Sequence, residues 1–155
     1  MKKIEEFNKM SNLPFNTFPT LGVFEECYKH YDLMNEENTE YIEAVNIAKH
    51  VDKEKGLIAI ADALTDMQYV LNGMFAYHGL SHLKDRMYAE VHRSNMSKAC
   101  DTSFEAEERA IDYRNSNIDC SVSEVDGKWV IIKKDGKVLK GNKFFEPDLK
   151  SIVIK

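Results

Sequence analysis

The chain has 155 residues, 43% of them apolar and 30% charged, the balance of one globular domain with a real core. Its net charge of −5 is uneven: residues 1–127 carry 13 Lys/Arg against 23 Asp/Glu, and residues 128–155 carry eight Lys against three acids. An acidic body excludes duplex nucleic acid as the expected partner, since phosphate backbones need a basic face.

The start, Met1-Lys2-Lys3-Ile4-Glu5-Glu6, has basic residues with no apolar run behind them, so no secretory signal is expected. Cys27, Cys100 and Cys120 are an odd set without CxxC spacing and read as reduced thiols of a cytoplasmic protein. Residues 3–10 form a predicted short helix, and Pro14 and Pro19 punctuate the loop after it. From about Thr20 to Ala48, a stripe of Phe24, Cys27, Tyr31, Met34, Tyr41, Val45 and Ala48 recurs mostly at helical spacing. Within it lies Glu36-Glu37-Asn38-Thr39-Glu40, with Glu43 one turn on. Glu36, Glu40 and Glu43 share a face, where like charges cost roughly 0.2–0.5 kcal/mol per pair. A solvated acidic face is one reading. Leu33, Ala44 and Ile47 project to the same side, which favours a face packed against something.

A second helix is predicted over 57–79. Between Leu57 and Phe75 its carboxylates are Asp62 and Asp66, one turn apart, with Tyr69 and Gly73 continuing the line. The rest is apolar on nearly every side, predicting a central, buried helix. The stretch is still too polar for a lipid-exposed span, with Asp62, Asp66, Gln68 and Asn72, so no membrane partner is expected. A buried unpaired carboxylate must be protonated, paired or metal-bound. Two acidic helices facing each other would make an oxygen cage for Mg²⁺ or Mn²⁺. A helix-capping aspartate or an inter-helix salt bridge remains open for both residues.

A third helix, 81–93, follows a turn at Gly79 and runs into Val91-His92-Arg93-Ser94-Asn95-Met96-Ser97-Lys98. Those amide, hydroxyl and cationic donors suit phosphate oxygens, or simply complement a helix C-terminus. Thr102-x-x-Glu105 predicts a capping box opening a helix to about Arg114. Lys128–Ile132 and Lys137–Leu139 flank Lys134-Asp135-Gly136, a hairpin signal, and Pro147 interrupts the chain before Ile152–Ile154. The basic end would sit over an anionic substrate or an acidic neighbour, or else serve solubility. The expected fold is all-α, an antiparallel helical bundle with a small C-terminal β-hairpin. One domain over 1–155 is expected: a helical catalytic core at 1–98, an inserted helix and loop at 99–127, and a β-hairpin and tail at 128–155.

Taken together, Glu36-Glu37-Asn38-Thr39-Glu40, Asp62-Ala63-Leu64-Thr65-Asp66-Met67-Gln68-Tyr69-Val70 and Val91 to Lys98 resemble the MazG-like branch of the all-α nucleoside triphosphate pyrophosphohydrolases. That superfamily includes dimeric dUTPases and phosphoribosyl-ATP pyrophosphohydrolases. The tail Asp135–Gly141 with Pro147-Asp148-Leu149 resembles the ending of bacterial and phage members. The resemblance implies hydrolysis of (d)NTPs between the α and β phosphates, releasing a monophosphate and pyrophosphate. It implies Mg²⁺ (or Mn²⁺) held by Glu36, Glu37, Glu40 and Asp62, with Glu37 orienting the water. Asn95 and Lys98, joined by Arg93, would hold phosphates; Tyr69, Asn72 and Phe15 are candidates for a base pocket, and for the last three core packing or a buried amide is the rival account. By analogy with the family, dUTP or dCTP is the first substrate guess, and a homodimer or homotetramer completes the sites across subunits. Two departures stand out. Family members carry Glu three residues before the aspartate, where this chain has Ala59, and the stretch Ala99–Val125 is longer and more charged than the usual link. At Ala59 either the chain uses fewer ligands or the glutamate was replaced, which implies an enzyme impaired in turnover; the rivals are a nucleotide-sensing helical dimer without turnover and a purely structural dimer whose acids only form inter-helix salt bridges.

Overall fold

A computed structural model describes residues 2–154. It is mostly helical, with one small two-stranded antiparallel hairpin near the C-terminus, as expected. Among the described residues no helix is long and apolar enough to cross a membrane. The chain's contacts divide at residue 84, giving compact units of residues 1–84 and 85–155.

The first unit is built on a helical hairpin. Helix α1 (Lys2–Met10) precedes α2 (Phe24–His50) and α3 (Lys53–Tyr77), and a 3₁₀ turn (Ser81–Leu83) follows. The link between the long helices is only Val51-Asp52, and Asp52 caps α3 by accepting the Lys55 N–H at 2.8 Å. Beside that link the helices touch backbone to backbone. A Cβ on Gly56 would fall 2.3 Å from Ala48 Cα, so glycine is required there. At the far end the buried Tyr77 hydroxyl donates to Val23 O at 3.2 Å and accepts the Val23 N–H at 2.7 Å. These two fixed points make α2 and α3 antiparallel and set Glu36–Glu40 beside Asp62–Asp66. Between them the interface is lined with small buried residues, Ala44 and Ala63. The loop from α1 is stitched to the end of α3 through Asn16 N–H to Ala76 O (2.9 Å) and Thr20 N–H to His78 O (3.0 Å). Gly79 allows this, with φ of 66° and Phe18 O occupying the space a side chain would need.

One expectation fails in this unit. Helix α3 is not buried on nearly every side: Leu57, Ile58, Leu64 and Leu71 are exposed, and so are Asp62 and Asp66. Phe24 and Tyr31, from the predicted stripe of α2, are exposed as well. Composition registers that a helix carries apolar residues all round, not which element covers them. The α2–α3 pair and α1 cover only part of each surface.

The second unit contains α4 (Lys84–Met96, its first residue in the first unit), α5 (Ser103–Asn115), β1 (Cys120–Val125), β2 (Lys128–Lys133) and α6 (Lys150–Val153). The Thr102–Glu105 capping box forms in full, each side chain bonded to the other's backbone N–H. Helix α5 packs on the hairpin around Cys100, Ala106, Ala110, Cys120 and Ile131. The hairpin differs from the predicted one. It pairs β1 with β2 and closes at Asp126-Gly127, both at positive φ (50° and 74°), the type I′ signature that matches strand twist. The predicted turn at Lys134–Gly136 does form, but it yields only a lone bridge, Ile132 to Val138. Part of the basic tail is paired locally: Lys128 and Lys143 each reach Asp101 at 2.7 Å, Lys133 reaches Asp135 at 3.1 Å, and Lys140 reaches Glu146 at 2.7 Å.

Candidate functional site

The acids on α2 split between two directions. Glu36 and Glu40 are exposed and, with Asn35, Thr39 and Glu43, line an open hollow on the outside of the helix. Glu37 turns the other way and is half-buried, with Oε2 fully enclosed and without a hydrogen-bond partner. Burial pushes its carboxyl above the ordinary glutamate value, and the charges of Glu40, Asp66, Glu36 and Asp62 push it further. The structure thus brings five of the six acids of the two sequence clusters, all but Glu43, into one electrostatic neighbourhood centred on Glu37. It does not bring them into coordination distance: among the described residues no three His, Cys, Asp or Glu side chains converge closely enough to hold a metal ion. Charge acts over a longer range than a coordination bond, so the two findings are compatible. An enclosed carboxylate oxygen without a donor, pressed by four more acids, fits a hard divalent cation. Ala59, one turn before Asp62, is half-buried and adds no ligand.

The predicted phosphate-binding residues lie in the second unit. Asn95 is exposed at the end of α4, and its Oδ1 accepts from Lys98 Nζ at 2.7 Å. Arg93 is already engaged: it donates to both carboxylate oxygens of Glu90 (2.9 and 2.8 Å) and lies 4.3 Å from the centre of the Phe145 ring. The tail clasps this helix end. Ser94 Oγ donates to Phe145 O at 2.8 Å, the Gly141 N–H donates to Lys98 O at 3.0 Å, and the Asp148 N–H donates to Glu90 at 2.8 Å.

Of the predicted base-pocket residues, Asn72 has its amide oxygen occupied by Gln68 (3.2 Å) and Lys84 (2.5 Å). Phe15 is half-buried under the Lys9 ammonium. Tyr69 meets Phe7 edge to face at 5.7 Å. It also borders a cavity of about 130 Å³ among α1, α2 and α3, with Ile4, Phe7, Asn8, His30 and Gly73 among the other walls. Asn8 is buried, and His30 Nδ1 is enclosed without a partner. Burial, aided by the neighbouring His78, pushes the His30 imidazole down, so the ring is neutral near pH 7. Sequence reasoning named neither Asn8 nor His30. The available signal for His30 was its place two helical turns before Glu37, on the same side of α2.

No curated protein sequence matches the chain. A sequence model of the phosphoribosyl-ATP pyrophosphohydrolase family matches residues 5–95, more than half of the chain. The matched span contains both carboxylate clusters, every wall of the cavity but Ile4, and the exposed end of α4 as far as Asn95; Lys98 lies beyond it. The chain belongs to the phosphoribosyl-ATP pyrophosphohydrolase family, within the MazG-like all-α nucleoside triphosphate pyrophosphohydrolase superfamily.

Proposed function

We propose that this pyrophosphohydrolase acts on (deoxy)nucleoside triphosphates, adding water across the α–β phosphate linkage to give a nucleoside monophosphate and pyrophosphate. A pyrophosphohydrolase of the MazG-like superfamily is what family membership itself gives, and members are typically dependent on a divalent metal. The observation that carries the finer reading is Glu37, whose enclosed Oε2 lacks any donor while four acids press on it.

In this reading Glu37 and Asp62 would hold Mg²⁺ or Mn²⁺ together with Glu36 and Glu40, whose exposed side chains would turn in from the outer face to join them. When bound, the cation supplies the charge that neutralises the polyphosphate and makes water nucleophilic near neutral pH. Glu37 would orient the attacking water and take its proton at Oε2, the oxygen without a hydrogen-bond donor. Asn95 and Lys98, a mutually bonded pair at a helix end, donate to phosphate oxygens. Arg93, tied to Glu90 and Phe145, keeps the tail on that helix end rather than meeting substrate directly. The exposed apolar residues of α3 support assembly as a homodimer or homotetramer. Three free cysteines support a reducing, cytoplasmic setting.

Ala59 favours a second reading, a chain that binds nucleotide with little or no turnover. The test is pyrophosphate release from a panel of NTPs and dNTPs with Mg²⁺ or Mn²⁺, dUTP and dCTP first, for the wild type and Ala59→Glu. Turnover that appears or rises at least tenfold in Ala59→Glu is expected if the missing carboxylate limits catalysis. Tight binding without turnover in both proteins would favour the sensing reading, and no metal-dependent binding in either would sink the proposal.

A further inference from the structure

We propose that the cavity among α1, α2 and α3 is the base pocket of the nucleotide site, sized for a one-ring pyrimidine and read by His30. The inference rests on the reading of the Glu37 neighbourhood as the phosphate end of the site. Size argues first. A cavity of about 150 Å³ takes one benzene ring, and this one measures about 130 Å³. A single six-membered ring fits; a fused purine needs more room. Chemistry argues next. The walls are mainly apolar and aromatic, Ile4, Phe7 and Tyr69, with few polar groups, the make-up of a small-molecule pocket. Two of those groups are suited to the alternating donors and acceptors of a base edge. Asn8 brings an amide, buried at 6% exposure, and His30 brings a ring nitrogen enclosed without a partner. An enclosed polar atom left unbonded is destabilising, and a bound base would remove that cost.

Position argues third. His30 precedes Glu37 by seven residues on α2, and Gly73 follows Asp66 by seven on α3. Seven residues are two turns, so on each helix cavity wall and acid share a side, about 10 Å apart at 1.5 Å per residue. That is the reach of one pentose between a base and its phosphates. Gly73 argues last. A glycine inside a helix is less stable than alanine, and here a Cβ would meet nothing within 4 Å. The missing side chain leaves the cavity open.

The test uses calorimetric binding of nucleoside 5′-monophosphates without metal, and separately of inorganic triphosphate with Mn²⁺, to the wild type, Gly73→Leu and His30→Phe. Pyrimidine monophosphates should bind at least tenfold more tightly than purine ones. Gly73→Leu, which fills the cavity and improves helix propensity, should weaken them at least tenfold while melting no lower than the wild type. His30→Phe keeps a ring against Tyr77 but removes the nitrogen, and should weaken them about tenfold, one hydrogen bond's worth. Neither variant should alter triphosphate binding. Purines bound as tightly as pyrimidines, or undiminished binding by Gly73→Leu, would overturn the assignment. The expected nucleotide pattern without metal-dependent triphosphate binding would instead sink the carboxylate centre and leave the pocket standing.

Discussion

Glu37 carries a carboxyl whose proton affinity rises on folding, because burial and four neighbouring acids disfavour its charge. Between the ordinary value of 4.5 and the raised folded one, the folded chain holds more proton than the unfolded chain. Stability therefore falls as pH rises through that window. Above that window, without a cation, burial and the four neighbouring acids work against the α2–α3 pairing. Glu37→Gln, neutral and of the same shape, should therefore melt a few degrees above the wild type in chelator. It should also lose most of the rise in Tm that Mn²⁺ or Mg²⁺ gives the wild type. A lower melting point in chelator, or a full metal-induced rise, would count against the proposed centre. The acids themselves were legible in the sequence, because their three- and four-residue spacings are local. That Glu37 faces inward while Glu36 and Glu40 face out was not, since it depends on how α2 is rotated on α3, and Gly56 and Tyr77 fix that rotation from the two ends.

Helix α5 and the hairpin give the same lesson in both directions. The capping box at Thr102 was readable because both partners lie within four residues. Thr102→Ala should cost about 1 kcal/mol, seen as a lower urea midpoint in the fluorescence of Trp129, the single tryptophan, packed against that unit's core. The hairpin was misplaced because two glycine turns compete within ten residues. The winner is the one whose two central residues both take positive φ, and strand partner Cys120–Val125, rich in serine, gave little apolar signal. Asp101 belongs to this level too. Hydrogen bonds from Lys128 and Lys143, with their charges, hold its carboxyl down to about 2 from 3.8. A depressed folded value means that its contribution is present above pH 3.8 and is lost as pH falls towards 2. The group is exposed, so salt screens it. Asp101→Asn should lower the urea midpoint relative to the wild type at low salt above pH 4, and the two midpoints should converge as pH falls towards 2; identical urea midpoints at pH 6 in low salt would show that the cluster adds nothing.

For the molecule as a whole, motif order on long helices made the fold class and the family readable, and the matched span of 5–95 covers those helices. The proposed base pocket was not readable, because its walls come largely from three separate helices. The exposed side of α3 is the remaining large-scale feature. Leu57, Leu64 and Leu71 are all exposed and recur every seven residues, the spacing of a helix-packing seam. Monomeric proteins rarely leave such a stripe to water, and burial of each leucine contributes about 1.5–3 kcal/mol. A second copy of the chain is the occupant that the proposed assembly supplies. In sedimentation equilibrium the wild type should run at two or four chain masses. Leu64→Glu should run as a monomer with unchanged helical circular dichroism, because Leu64 has no buried role within the single chain. If the proposed sites are completed across subunits, the same variant should also lose metal-dependent triphosphate binding. A wild type that sediments as a monomer at tens of micromolar would leave the stripe without its partner and the assembly reading without support.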